Sequence, residues 1–228
     1  MDDPGDAFRI DEDRTDDAVV LTLHGELDLA SADAVQQRLD ALAEAGTPTR
    51  LDLDDLRFMD SSGLRIVLGG RGQPDHRLGV HDHAGLRAGA DALLLGGHHR
   101  PAPDRRGALV TSAPITVTLP RDAGAPRRAR ALLREHAENL DAARLDTAVL
   151  LVSELVTNAV LHGGGEIRLL IDVDRDRLAR FAVSDEGGGS PVVRDDPGAD
   201  GGWGLRLVGQ LAARWGVLEG RTQVWFEV

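Results

Sequence analysis

The chain has 228 residues and a formal net charge of −12, with no cysteine and no lysine, so its 26 basic residues are all arginine. The first absence excludes disulfides, thiolate zinc sites, iron–sulfur clusters and thiol nucleophiles; the second excludes a Walker A phosphate loop, a Schiff base and the strand lysine of eukaryotic-type protein kinases. Apolar runs such as 148–152 fall far short of the roughly 18 to 20 residues of a bilayer helix, and the first seventeen residues carry eight acidic against two basic side chains, unlike a secretory leader, so a cytoplasmic protein with no membrane association is expected.

From the N-terminus, Val19, Leu21 and Leu23 share one face of a short run, as on a strand, and Leu51 and Leu53 repeat the pattern. Between them the spacing predicts a helix, with Ser31 as its cap, Val35, Leu39 and Leu42 on its apolar face and Gly46 as its stop. Phe58 and Met59 close a further apolar segment, Asp60-Ser61-Ser62 reads as a helix cap, and a helix is predicted over 64–68. The text at 96–113, GGHHRPAPDRRGALVTSA, has no apolar period and reads as a linker. Beyond it the pattern predicts a strand at 115–119, helices at 126–140 and 146–161, strands at 167–173 and 178–185, a helix at 205–215, and strands around 217 and at 224–228. The second of these helices is expected to bury Val149, Val152, Val156 and Val160.

Charge divides at the same place. Residues 1–96 hold 20 acidic and 9 basic side chains, a net of −11, whereas residues 97–228 hold 18 and 17, a net of −1. Neither half has the basic surplus that releases counterions from nucleic-acid phosphates, so direct nucleic-acid binding is not expected. The predicted organisation is a domain over 5–96, a linker over 97–113 and a domain over 114–228, each layered as α/β or α+β.

Three boxes in the second half carry chemistry. Glu154 and Asn158, four apart, project from one helix face. Alone they read as a solvated polar stripe. Asp185 ends a strand and is followed by Gly187 and Gly189, giving D-x-G-x-G, and Gly202-Trp203-Gly204-Leu205 opens a helix, giving G-x-G-L. Glycines let backbone approach a ligand, and a helix N-terminus offers free N–H groups to phosphate oxygens. His76, His81, His83, His98 and His99 crowd one region without ligand spacing and read as a solvated loop. His136-Ala137-Glu138 lies on a helix with no second helix to form the dimerising hairpin of a sensor kinase.

With these boxes in order, and with SELVTNAVLH, GGWGL and TQVWFEV around them, residues 114–228 resemble the GHKL ATPase superfamily, in particular the serine-kinase anti-sigma factors of bacteria. The resemblance implies an α/β sandwich binding ATP and Mg²⁺. By it, Asn158 holds the Mg²⁺, Asp185 reads the adenine amino group, Gly187 and Gly189 shape the base pocket, and Gly202 and Gly204 lie beside the phosphates. Thr222 supports the adenine site, and Glu154 is the base that takes the proton of a substrate hydroxyl.

Residues 8 to about 70, with GELDLASA at 25–32 and FMDSSGLRIVL at 58–68, resemble the STAS domain of anti-sigma factor antagonists. That likeness implies Ser61 as phosphoacceptor, with Ser62 beside it and Asp28 and Asp60 flanking. Residues 69–97 lack the clean alternation expected of the rest of such a domain; only 77–80 and 86–95 offer a strand and a helix, and the pattern leaves open whether the domain is complete after Gly69. Together the resemblances imply a partner-switching transcription regulator acting with a sigma factor, a separate STAS antagonist or both, and with a serine phosphatase; a homodimer is compatible with them. The alternative is an ATP-binding partner-exchange module without phosphotransfer. A chaperone, gyrase or repair type of ATPase fits less well, because the region before GGWGL is short.

Overall fold

The computed structural model describes residues 7–69, 79–81, 114–137, 139–173, 179–188, 203–218 and 222–228. The chain forms two compact units, Met1–Asp91 and Ala92–Val228.

In the first unit, β1 (Arg9–Arg14) runs antiparallel to β2 (Val19–Leu27), and β2 runs parallel to both β3 (Thr49–Asp52) and β4 (Leu56–Met59). The strict alternation of β2 buries Val19, Leu21, Leu23 and Leu27, as its sequence period requires. Against that face pack Val35, Leu39 and Leu42 of α1 (Ala32–Glu44) and Ile66 and Val67 of α2 (Ser61–Gly69). Each fully buried leucine here stabilises the fold by roughly 1.5–3 kcal/mol. Gly46, at φ +63°, ends α1 in the left-handed conformation glycine favours.

Three expectations are corrected in this unit. Ser31 stands at the N-cap of α1, but its hydroxyl donates to Glu26 O and accepts from Asp28 N–H, each at 2.9 Å. The Ser31 carbonyl already takes the N–H of Ala34 at 3.2 Å, the group a capping hydroxyl would bind, which leaves that hydroxyl for the preceding turn. Helix α2 begins at Ser61 and not at 64, because Asp60 Oδ1 accepts the N–H groups of Ser62 at 2.8 Å and Gly63 at 3.2 Å. The weak strand read at 77–80 is β5 (Gly79–His81), which pairs in parallel with β3 and extends the sheet. The helix expected at 86–95 lies outside the described residues.

In the second unit a five-stranded antiparallel sheet has the order β6 (Ile115–Leu119), β7 (Ile167–Val173), β8 (Ala179–Ser184), β10 (Val224–Glu227), β9 (Arg214–Val217). Its helices are α3 (Ala125–His136), α4 (Ala142–His162) and α5 (Trp203–Leu211). Helix α4 packs against α3, α5, β7 and β8. Its 21 residues are long and apolar enough to cross a membrane, yet Val149, Leu151, Val152, Leu155 and Val156 are buried inside this unit.

The helix ends differ from those expected. Helix α3 stops at His136 rather than 140, and α4 starts at Ala142 rather than 146, because Asp141 adopts an extended conformation and its side chain accepts the N–H of Arg144 at 3.0 Å. Val160 is half-buried rather than core. Helix α5 runs 203–211, and Trp215, read as its last residue, belongs to β9.

Candidate nucleotide and phosphoacceptor sites

Encasement of α4 decides the character of its polar pair. Glu154 is 1% exposed, so it is not part of a solvated stripe, while Asn158 one turn later is half-buried. Gly204, in the first turn of α5, lies directly over both. A Cβ built there would stand 2.7 Å from Asn158 Nδ2 and 3.0 Å from Glu154 Oε2. An acid, an amide and a helix N-terminus thus converge, a combination suited to an anionic, metal-bound group.

The second cluster forms where β8 and β10 end. Their antiparallel register pairs Val183 with Val224, which brings Asp185 opposite Thr222. Asp185 N–H donates to Thr222 Oγ1 at 3.1 Å, and that hydroxyl donates back to the Asp185 carbonyl. The carboxylate is held separately. Its Oδ1 accepts the N–H groups of Gly187 at 2.6 Å and Gly164 at 3.1 Å, and its second oxygen makes no hydrogen bond among the described residues. A carboxylate oxygen fixed in place and left open is an acceptor for an exocyclic amino group.

Gly163, Gly164 and Gly165 were not singled out in the sequence, although they follow the E-x-x-x-N helix directly. A Cβ at Gly163 would meet Ala159 O and Asp185 Cγ at 2.6 Å, and one at Gly187 would lie 2.7 Å from Asp185 Oδ1. Close packing of backbone on the aspartate therefore needs glycine at both. Gly189 and Gly202 lie outside the described residues.

In the first unit, the parallel register Leu27↔Met59 places the residues that follow, Asp28 and Asp60, at neighbouring strand ends, and Asp60 N–H donates to Leu27 O at 3.2 Å. Both aspartates are 2% exposed. Ser61 is half-buried at the first position of α2, and Ser62 is buried. The Gly63 position is tight, since a Cβ there would be 2.6 Å from Leu27 Cγ and 2.7 Å from Leu27 O. A hydroxyl at a helix start is where the helix dipole best tolerates added phosphate charge. Of the five crowded histidines only His81 is described, and among the described residues no three or more His, Asp or Glu side chains cluster as a metal site would require.

The second unit is thus a helix-backed antiparallel sheet with an Asp185–Thr222 pair where β8 and β10 end, and with Glu154 and Asn158 of α4 facing Gly204 of α5. Residues 119–227 match the model of the histidine kinase-like ATPase domain, and residues 10–96 match a STAS domain model described as Mlab. The chain therefore joins a STAS domain to a histidine kinase-like ATPase domain. The STAS match runs to residue 96, beyond the likeness over residues 8 to about 70. The chain is 33% identical over 62 residues to the anti-sigma-B factor antagonist of Bacillus subtilis, covering 27% of this chain and 57% of that protein. It is 40% identical over 57 residues to the anti-sigma F factor antagonist of Lysinibacillus sphaericus, covering 24% and 49%. The chain thus spans about half the length of these curated relatives. Among solved structures it is similar to the RsbU and RsbW domains of a Mycobacterium tuberculosis protein, with 26% identity, a TM-score of 0.39, and coverage of 51% of this chain and 31% of that one.

Proposed function

We propose that the protein is a cytoplasmic partner-switching regulator of transcription, with an ATP- and Mg²⁺-dependent protein serine kinase at 114–228 and an antagonist-type STAS domain at 5–96 that is phosphorylated on Ser61. The observation that carries this reading is the convergence of Glu154, Asn158 and Gly204, in the same unit as a carboxylate, Asp185, whose orientation is fixed by two backbone amides.

The residues present fit the group they would hold. Gly204 leaves open the space that a Cβ would fill over Asn158 and Glu154, and the amide oxygen of Asn158 is a hard donor suited to Mg²⁺. Bound Mg-ATP supplies the phosphoryl group and the charge neutralisation of its transfer. Asp185 accepts from the adenine amino group, and Thr222 keeps the aspartate's backbone in register. Gly187 keeps the base pocket open, with Gly189 and Gly202 assigned to the base and phosphate ends on the sequence resemblance. Glu154, sheltered from water, takes the proton of the attacking serine hydroxyl, a role typically contributing about 10²- to 10⁴-fold. At the acceptor, a phosphate of about −1.5 to −2 charge on Ser61 lands beside the buried Asp28 and Asp60, and the desolvation cost of the added charge weakens docking through that face. The partners of this reading are a sigma factor, a separate STAS antagonist and a serine phosphatase, with homodimerisation compatible.

Phosphosite mapping after incubation of wild type, Ser61→Ala and Glu154→Gln with Mg-ATP tests the proposal. Phosphate at Ser61 of wild type, absent from both variants, is expected. Tight ATP binding with no phosphate on the chain or on an added STAS protein would establish the partner-exchange module instead.

A further inference from the structure

The turn that fixes the Asp185 carboxylate is itself held from a distant part of the chain. Arg121 lies between β6 and α3, 64 residues before Asp185. Its Nε donates to Gly165 O at 3.0 Å, and its Nη1 donates to Val160 O at 3.2 Å and to Ala159 O. Nη2 is buried with no hydrogen-bond partner among the described residues, so two nitrogens carry the clamp. One guanidinium therefore ties the last carbonyls of α4 to the far end of the Gly163–Gly164–Gly165 turn. A cation at a helix C-terminus is favoured by the exposed carbonyls and the helix dipole.

Three successive glycines lose more conformational freedom on ordering than any other tripeptide, so this turn needs external restraint. Gly165 has φ +58°. Gly164, at the centre, donates its N–H to Asp185 Oδ1 at 3.1 Å and accepts from Glu186 N–H at 2.7 Å. If the turn drifts, one of the two amides holding the carboxylate is lost.

We propose that Arg121 is a positioning residue for base recognition: by clamping Gly165 and the end of α4 it holds the Gly164 N–H that orients Asp185 toward the adenine amino group. The inference rests on the nucleotide-site reading above. Lysine is a poor substitute, because the clamp uses two nitrogens of a rigid planar fork on carbonyls of two segments.

The experiment compares affinities of the full chain for Mg-ATP and Mg-inosine triphosphate, which presents an oxygen where adenine presents its amino group. It is run by calorimetry on wild type, Arg121→Met and Arg121→Lys, with melting temperatures recorded. In Arg121→Met, ATP affinity is expected to fall about 10-fold while inosine triphosphate affinity holds, the scale set by one orienting hydrogen bond. Arg121→Lys should recover part of the discrimination. Full discrimination in folded Arg121→Met, or equal weakening of both nucleotides, overturns the proposal and leaves the nucleotide site standing. A wild type that binds both nucleotides alike overturns the base-reading role of Asp185 and the proposal with it. If Arg121→Met does not fold, the same ratio is read on Arg121→Lys, where undiminished discrimination overturns the proposal.

Discussion

Gly204→Ala separates folding from function more cleanly than removal of any charged group. Replacing a helical glycine by alanine ordinarily stabilises the helix by about 0.5–1 kcal/mol. Here the new methyl would sit 2.7 Å from Asn158 Nδ2 and 3.0 Å from Glu154 Oε2, both at the ends of side chains that can rotate away. The backbone has no reason to move, so the propensity gain and the local crowding roughly cancel. The net change should lie within about 1 kcal/mol, or about 4–8 °C in melting temperature for a domain of this size. The proposed metal ligand and base, by contrast, must each shift by several tenths of an ångström to about 1 Å, and misplacement on that scale costs up to about 10²-fold in rate. The expected phenotype is a folded protein with phosphate transfer to Ser61 or to an added STAS protein reduced about 10- to 100-fold. Thermal melting and a timed assay with labelled Mg-ATP measure the two quantities on one preparation. Wild-type transfer by Gly204→Ala would refute the convergence of Glu154, Asn158 and Gly204 on one reacting group.

Gly163→Ala should behave differently, since its Cβ would meet a backbone carbonyl, Ala159 O, as well as the Asp185 carboxylate, both at 2.6 Å to the nearest atom; a destabilisation of about 1–3 kcal/mol with loss of ATP binding is expected in denaturation and calorimetry. Glu154→Gln preserves shape at a buried position and should keep ATP affinity while transfer falls about 10²- to 10⁴-fold; equal rates would remove Glu154 from the mechanism. At acid pH, hydrogen bonding from Arg128, aided by Gly124 N–H, holds the Asp122 carboxyl below its usual 3.8, so its contribution is present above that value and lost as pH falls through the lowered one. Asp11 beside Arg9 and Glu12 beside Arg38 act in the same direction. Denaturant midpoints followed from about pH 5 to about pH 2 should therefore fall less steeply in Asp122→Asn than in wild type.

Residue patterns are legible only at short range. The two-residue period of Val19, Leu21, Leu23 and Leu27 and of Ile167, Leu169, Ile171 and Val173 marks β2 and β7 with their buried faces, because a strand turns alternate side chains to one side. The four-residue spacing of E-x-x-x-N likewise put Glu154 and Asn158 on one helix face, since helix geometry sets short-range spacing. Tertiary structure decided the rest. Glu154 reads as a surface acid until α4 is packed on all sides, and periodicity cannot show that a polar face has a neighbour. Thr222 meets Asp185 across 37 residues only because β10 pairs with β8. Arg121 reaches the Gly163–Gly165 turn only because β6 ends beside the C-terminus of α4. Hydrogen bonds between segments so far apart depend on sheet order and helix packing, which no local period encodes.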